Sequence, residues 1–181
     1  MVTIKGVLFD VVREVVAELL GEDQWDNAVE AAGLDGSYTS LGNYPDQELS
    51  TLVVLLSDAA GLSQADTMRA VGLHGWKHLE ARQPELVVGI GDMGGLLHSL
   101  NNVIHTEVRK LYPDSVVPAF GVEDQGPDHW LLTYESQRRM CFLAEGLLLG
   151  FAASRGIESS ISHLACQNDG DPSCLLDVTV S

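Results

Sequence analysis

The chain has 181 residues, 45% of them hydrophobic, which is ample for one packed domain or one domain of two lobes. With 26 acidic side chains against 10 basic ones, its net charge is −16, which argues against nucleic acid or an anionic membrane surface as its main partner. Arginine is scarce, so any local arginine pattern is informative.

From the start of the chain, Val7, Leu8, Val11, Val12, Val15, Leu19 and Leu20 recur at helical spacing, and Gly21 closes the run. Asp10, Arg13, Glu14 and Glu18 interrupt it, so it is not a membrane span. It also lacks the basic start and cleavage site of a signal peptide. A second helix is predicted over Gln24 to Ala32, ended by Gly33, and a turn-rich stretch runs from Leu34 to Tyr44. Pro45 starts a third helix that Gly61 ends, with Asp46 and Glu48 in its first turn. Ser63 to Asp66 has capping-box spacing and opens a fourth helix towards Glu80. Gly89, Gly91, Gly94 and Gly95 predict a flexible break, after which one helix runs from about Leu96 to Leu111.

Beyond Pro118 the pattern changes. Ala119 to Glu123 and Trp130 to Glu135 read as strands around the turn Gly126-Pro127-Asp128. A long helix, Arg139 to Ser154, is followed by strands Ile157 to Cys166 and Cys174 to Val180. The predicted class is α+β, a helical lobe followed by a small antiparallel sheet carrying a long helix.

Two short constellations carry chemistry. Tyr134, Ser136 and Arg138 alternate, and on a strand such residues share one face, spreading three donors over about 13 Å. That set suits a ligand with two carboxylates on flexible arms. A solvated strand face has the same alternation. His105, Arg109 and Tyr112 fall on one side of a helix that Pro113 then breaks. A histidine so placed is an ordinary surface or core residue unless something needs an axial imidazole.

In one chain and in this order, the two constellations resemble the H-NOX family, the haem nitric oxide/oxygen-binding domains of bacteria and of soluble guanylate cyclase. The resemblance covers nearly the whole chain. It includes Lys5-Gly6-Val7-Leu8-Phe9, the stretch from Gly33-Leu34-Asp35-Gly36 to Tyr44-Pro45-Asp46, and the run from Asn102-Val103-Ile104-His105 to Tyr112-Pro113. It implies haem b between two lobes, a helical distal lobe of about residues 1–62 and a proximal helix and sheet lobe of about 63–181. His105 would be the proximal ligand of the iron, Tyr134, Ser136 and Arg138 would hold the propionates, and Pro118 would press on the porphyrin. Neutral imidazole suits ferrous iron, and a guanidinium binds carboxylates in a fork.

The resemblance also locates an absence. Oxygen-binding members have a distal tyrosine that donates to the bound gas, and the matching position here is Leu143. Leu143 and Leu147 share a helix face, and Leu8, Val12, Gly75 and Leu79 are the other positions expected over the iron. None has a polar side chain, which suits nitric oxide and carbon monoxide better than oxygen. Simple helix core would read the same way.

Cys141, His163, Cys166 and Cys174 make a possible tetrahedral zinc set, although the spacing is not a standard zinc-finger pattern. Some H-NOX proteins carry a structural zinc in this region. Three reduced cysteines, or a Cys166–Cys174 disulfide, are the other readings. An odd cysteine count without an export signal fits a reducing cytoplasm. His74 and His78 have metal-pair spacing but read as a helix surface or lobe contact, and His98 and His129 carry no signal.

The function expected is therefore not an enzyme but a nitric oxide sensor of the stand-alone bacterial type. Gas binding would weaken the His105–iron bond and change a surface read by a separate protein. By the resemblance, that partner is a histidine kinase or a cyclic-di-GMP enzyme. The alternatives are a thiol/zinc or haem redox sensor, or an oxygen sensor. A haem peroxidase would want a polar acid–base group above the iron, which these residues do not offer.

Overall fold

A computed structural model describes residues 2–181, and its N-terminal helices end where the sequence places their caps. Helix α1 (Gly6–Leu20) buries Phe9, Val12 and Val16. Helices α2 (Asp23–Ala32) and α3 (Asp46–Ala60) stop at Gly33 and Gly61, both left-handed, whose N–H groups return to carbonyls of the last turn. Helix α4 (Gln64–Arg82) begins where Ser63 accepts the Asp66 N–H at 3.0 Å.

Two short strands had no signal in the sequence. Strand β1 (Thr3–Lys5) pairs antiparallel with β2 (Asn43–Pro45), Ile4 opposite Tyr44. Three residues are too few for alternation to register. Their partner lies some 40 positions away, inside what reads as turns.

The predicted break and helix are also redrawn. Gly94 and Gly95 belong to the first turn of α5 (Met93–Ser99), where Asp92 accepts the Gly95 N–H at 2.7 Å. The helix expected from Leu96 to Leu111 is three pieces: α5, a π-helical turn over Leu100–Ile104, and α6 (His105–Leu111). The wider turn presents Asn101 to the backbone of Phe120, donating to its carbonyl at 2.5 Å and accepting its N–H at 3.2 Å. The Asn101 carbonyl is taken up by the Thr106 hydroxyl at 3.1 Å. A single widened turn does not disturb the helical hydrophobic pattern enough to be read from it.

Strands β3 (Ala119–Gly126), β4 (His129–Glu135), β5 (Ser159–Ala165) and β6 (Cys174–Val180) form an antiparallel sheet in the order β3-β4-β6-β5. Trp130, Leu132 and Tyr134 alternate inward on β4, as do Cys174, Leu176 and Val178 on β6. With α5 and helix α7 (Cys141–Ser154) they make one core. A second core joins α1, α2 and α3 and takes in Val71 from α4 and Leu143 from α7. The class is α+β, as the sequence predicts.

Helices α4 and α7 join the two cores at nearly backbone-to-backbone distance. A Cβ at Gly146 would stand 2.2 Å from the Arg69 carbonyl oxygen, and one at Gly72 would stand 2.5 Å from that of Leu143. Only glycine permits this approach.

Candidate functional site

A cavity of about 310 Å³ is bounded by β1, α1, α4 and α7 on one side and by the π-turn, α6, β3 and β4 on the other. His105 opens α6 and lines it. Its Nδ1 is buried without a hydrogen-bond partner. Burial, helped by the nearby charge of Arg109 and opposed by the Pro118 backbone, pushes its pKa down to about 4. The imidazole is therefore neutral at pH 7, with a lone pair to give. Its ring lies 5.5 Å from that of Phe120, which meets Tyr134 edge-on at the same distance.

Pro118, Tyr134, Ser136 and Arg138 line the same cavity. The expected reason for their meeting is corrected. Strand β4 ends at Glu135, and Ser136 and Arg138 lie in the turn that follows, closed by Arg139 at φ 53°. A turn, not a continued strand face, brings the donors together. Burial pushes the Tyr134 phenol up to about 12, so it stays protonated. Ser136 accepts the Arg138 N–H at 3.2 Å. The Arg138 guanidinium donates to the Thr3 and Val116 carbonyls and, among the described residues, pairs with no carboxylate. Burial holds its pKa below the ordinary arginine value, yet a guanidinium remains protonated in proteins. A half-buried cation with only neutral acceptors, in so acidic a chain, is a place for an anion.

Leu8, Leu79, Leu143 and Leu147 line the cavity too. Val12 and Gly75 do not. Val12 lies in the N-terminal core, and Gly75 is covered by Val11, whose Cγ1 would be 2.6 Å from a Cβ there. Tyr112, which the sequence places on the His105 side of its helix, lines the cavity as well; sequence reasoning missed Trp76, Ile104, Val108 and Phe120, and the polar Glu80, Arg82 and Gln83. These polar groups are engaged. Glu80 takes Arg155 at 2.6 Å and the Trp76 N–H at 3.0 Å, Arg82 binds Glu14 at 2.7 Å, and Gln83 donates to the Tyr112 hydroxyl at 2.9 Å. They stand on segments that read as ordinary helix surface, so no sequence signal marked them.

A second cluster lies at the N-terminal end of α7. Cys141 and Cys166 have sulfurs 3.6 Å apart, and Cys174 lies 3.9 Å from Cys166; all three are free and buried. One ligand atom each from Cys141, His163 and Cys166 falls within 4.8 Å of the others. Zinc–sulfur bonds of ~2.3 Å place the sulfurs of a tetrahedron ~3.8 Å apart, so the spacing fits a metal and is too long for a disulfide. Burial pushes the Cys141 and Cys174 thiols up, so a metal would have to displace their protons. The His163 Nδ1 is buried and unpartnered, while Nε2 meets Glu145 at 3.0 Å. Three other histidines pair with acids, whereas His74, among the described residues, pairs with none. His78 sits 3.1 Å from both Glu14 and Glu18, linking α4 to α1, and His98 and His129 meet Asp124 and Asp177.

A neutral buried imidazole, a mostly apolar cavity, and a rim of phenol, hydroxyl and unpaired guanidinium define a binder of a flat apolar ring with acidic arms. Residues 5–163 match the family model described as Haem-NO-binding, and the chain belongs to that family of haem-based gas sensors. It is similar over 98% of its length to an H-NOX protein from S. oneidensis in the Fe(II)NO ligation state, at 29% identity, TM-score 0.92 and 99% coverage of that chain. The Shewanella oneidensis H-NOX domain in the Fe(II)CO state matches at 30% identity and TM-score 0.89, over 98% of this chain and 99% of that one. Unliganded Fe(II) H-NOX from K. algicida matches at 27% identity and TM-score 0.88, covering 98% and 97%. No match was found among curated proteins. H-NOX domains bind haem iron and are sensors rather than enzymes. No helix among the described residues is long and apolar enough to cross a membrane.

Proposed function

We propose that this protein is a cytoplasmic haem b sensor of nitric oxide that also binds carbon monoxide and regulates a separate signalling protein. The observation that carries the reading is the leucine wall. Leu143, Leu147, Leu8 and Leu79 offer no donor, and the polar Glu80 and Arg82 of α4 are already engaged by Arg155, Trp76 and Glu14. Oxygen on ferrous iron needs a hydrogen-bond donor for tight binding, whereas nitric oxide does not.

Haem supplies the gas-binding iron. His105 would hold the iron through its imidazole, Pro118 would pack against the haem, and Tyr134, Ser136 and Arg138 would bind its acidic arms. No residue of helix α6 is fully buried; it is held by His105 and Val108 against the cavity, by the π-turn before it, and by Tyr112 after it, which receives the Gln83 amide at 2.9 Å. With a gas bound at the iron, a weakened hold on His105 would free α6 to shift, a change between two conformations that a partner could read. That partner is a histidine kinase or a cyclic-di-GMP enzyme, and the haem would lie between lobes of about 1–62 and 63–181. The Cys141, His163, Cys166 and Cys174 cluster holds a structural zinc, supported by its sulfur spacing.

A second reading is a thiol redox sensor, favoured by three free thiols in sequence at 3.6 and 3.9 Å. Absorption spectra of the reduced protein separate the readings. Nitric oxide and carbon monoxide should each shift the haem bands, and air should give no stable complex. A stable oxygen complex would convert the reading to an oxygen sensor. Zinc release under mild oxidant, with no spectral response to nitric oxide, would favour the thiol switch.

A further inference from the structure

Glu145 is a buried carboxylate in the middle of an apolar helix, and the haem cavity makes no use of it. Its side chain is 6% exposed, and one oxygen, Oε1, receives the Arg69 Nε at 2.7 Å. The other, Oε2, meets His163 Nε2 at 3.0 Å. Arg69 comes from α4, Glu145 from α7 and His163 from β5, so three elements converge on one carboxylate.

The imidazole is held on a second side. Phe142 stacks on it at 4.8 Å and 26°, and the Arg69 guanidinium sits 5.3 Å from the Phe142 ring centre. Arg69 is oriented in turn by Asp66 at 2.6 Å. Ring plane and ring rotation are therefore both fixed. With Nε2 committed to Glu145 as a donor, the lone pair stands on Nδ1, the buried nitrogen without a protein partner.

We propose that Glu145 is a positioning residue for metal binding. It fixes the His163 tautomer so that Nδ1 completes the Cys141, Cys166 and Cys174 set, and Arg69 compensates its charge. The inference rests on the zinc reading given above. A zinc bound by three thiolates and a neutral histidine is itself an anion. An unpaired carboxylate beside it would be repelled, and Arg69 is the counter-charge that makes the pair tolerable in so dry a place. The arrangement also ties the cluster to α4, whose Trp76 and Leu79 line the haem cavity.

The test is zinc affinity by competition with a chelator, using the full chain under reducing conditions. Loss of an outer hydrogen-bond partner of a ligating histidine typically weakens metal binding ~10–100-fold. Glu145→Leu should fall in that range, and Glu145→Gln, which keeps an acceptor without the charge, should lose less. In a His163→Ala background, Glu145→Gln should cost nothing further, because the residue it positions is gone. Nitrogen NMR of His163 should show one Nε2–H tautomer in the wild type and a mixture in Glu145→Leu. Equal zinc affinity in wild type and Glu145→Leu, or an equal Glu145→Gln penalty in both backgrounds, would overturn the proposal while leaving the zinc site standing. A wild type that binds no zinc would remove the zinc reading itself, and this inference with it.

Discussion

Arg138 and Arg139 are neighbours with opposite duties. Arg138 carries its charge on the cavity rim with only backbone carbonyls as partners. Arg139 is exposed, and its carbonyl receives the Asn168 amide at 3.2 Å. A charge-assisted hydrogen bond to a carboxylate contributes ~1.5–3 kcal/mol, so Arg138→Ala should speed haem loss about tenfold or more. Arg139→Ala should leave the rate unchanged. Transfer of haem to an acceptor protein measures both, and equal rates would remove Arg138 from the site. Leu143 governs the gas in the same one-residue sense. A tyrosine hydroxyl there would supply ~1 kcal/mol or somewhat more in a dry pocket, so Leu143→Tyr should raise oxygen affinity by roughly tenfold. An oxygen titration that shows no gain would mean the phenol does not reach the gas.

At the scale of elements, the contact between α4 and α7 decides the shape of the cavity, because both helices wall it. Gly146→Ala would add a carbon 2.2 Å from the Arg69 carbonyl oxygen, and backbone cannot rotate out of the way. Alanine gains ~1 kcal/mol in helix propensity over glycine, but overpacking of a tight core costs ~1–3 kcal/mol, and here the clash is with main chain. The expected outcome is a net loss of stability in urea, with weaker haem retention as the helices part. An unchanged unfolding midpoint would show that the helices separate freely.

Across the whole molecule, Arg155 after α7 clasps Glu80 of α4 at 2.6 Å, both side chains about a quarter exposed. The Arg155 hydrogen bond, opposed by burial, holds Glu80 below the usual carboxylate range. A depressed carboxylate contributes stability above its unfolded pKa of about 4.3 and loses it as pH falls through the lower folded value. Arg155→Gln should therefore cost about 1 kcal/mol at neutral pH. The gap between variant and wild type should close as pH falls through that folded value. Urea unfolding followed from pH 7 down through the acid range checks this, and a gap that does not narrow as pH falls would assign the loss to packing.

Helix ends, the inward alternation of β4 and β6, and the α+β class were legible because they are local. Caps, hydrophobic periods and turn residues act within a few positions of themselves. His105, the Tyr134–Ser136–Arg138 set and the four metal-site candidates were legible as residue types at telling separations. Four things were not legible. They are the ribbon joining Thr3–Lys5 to Asn43–Pro45, the π-turn before His105, the turn that carries Arg138 off the strand, and the loss of Val12 and Gly75 from the cavity wall. Each is settled by a distant partner: Tyr44 for Ile4, Phe120 for Asn101, the Thr3 carbonyl for Arg138, and Val11 for Gly75. The buried Arg69–Glu145–His163 chain belongs with them, since a glutamate amid leucines gains its meaning only when two other elements pack against it. The longer helices, the strands of the four-stranded sheet and the chemistry available could be read from the sequence, because they rest on short-range properties. Which side chains face one another across the cavity was decided by tertiary packing, where steric fit and the pairing of buried polar groups act between residues far apart in the chain.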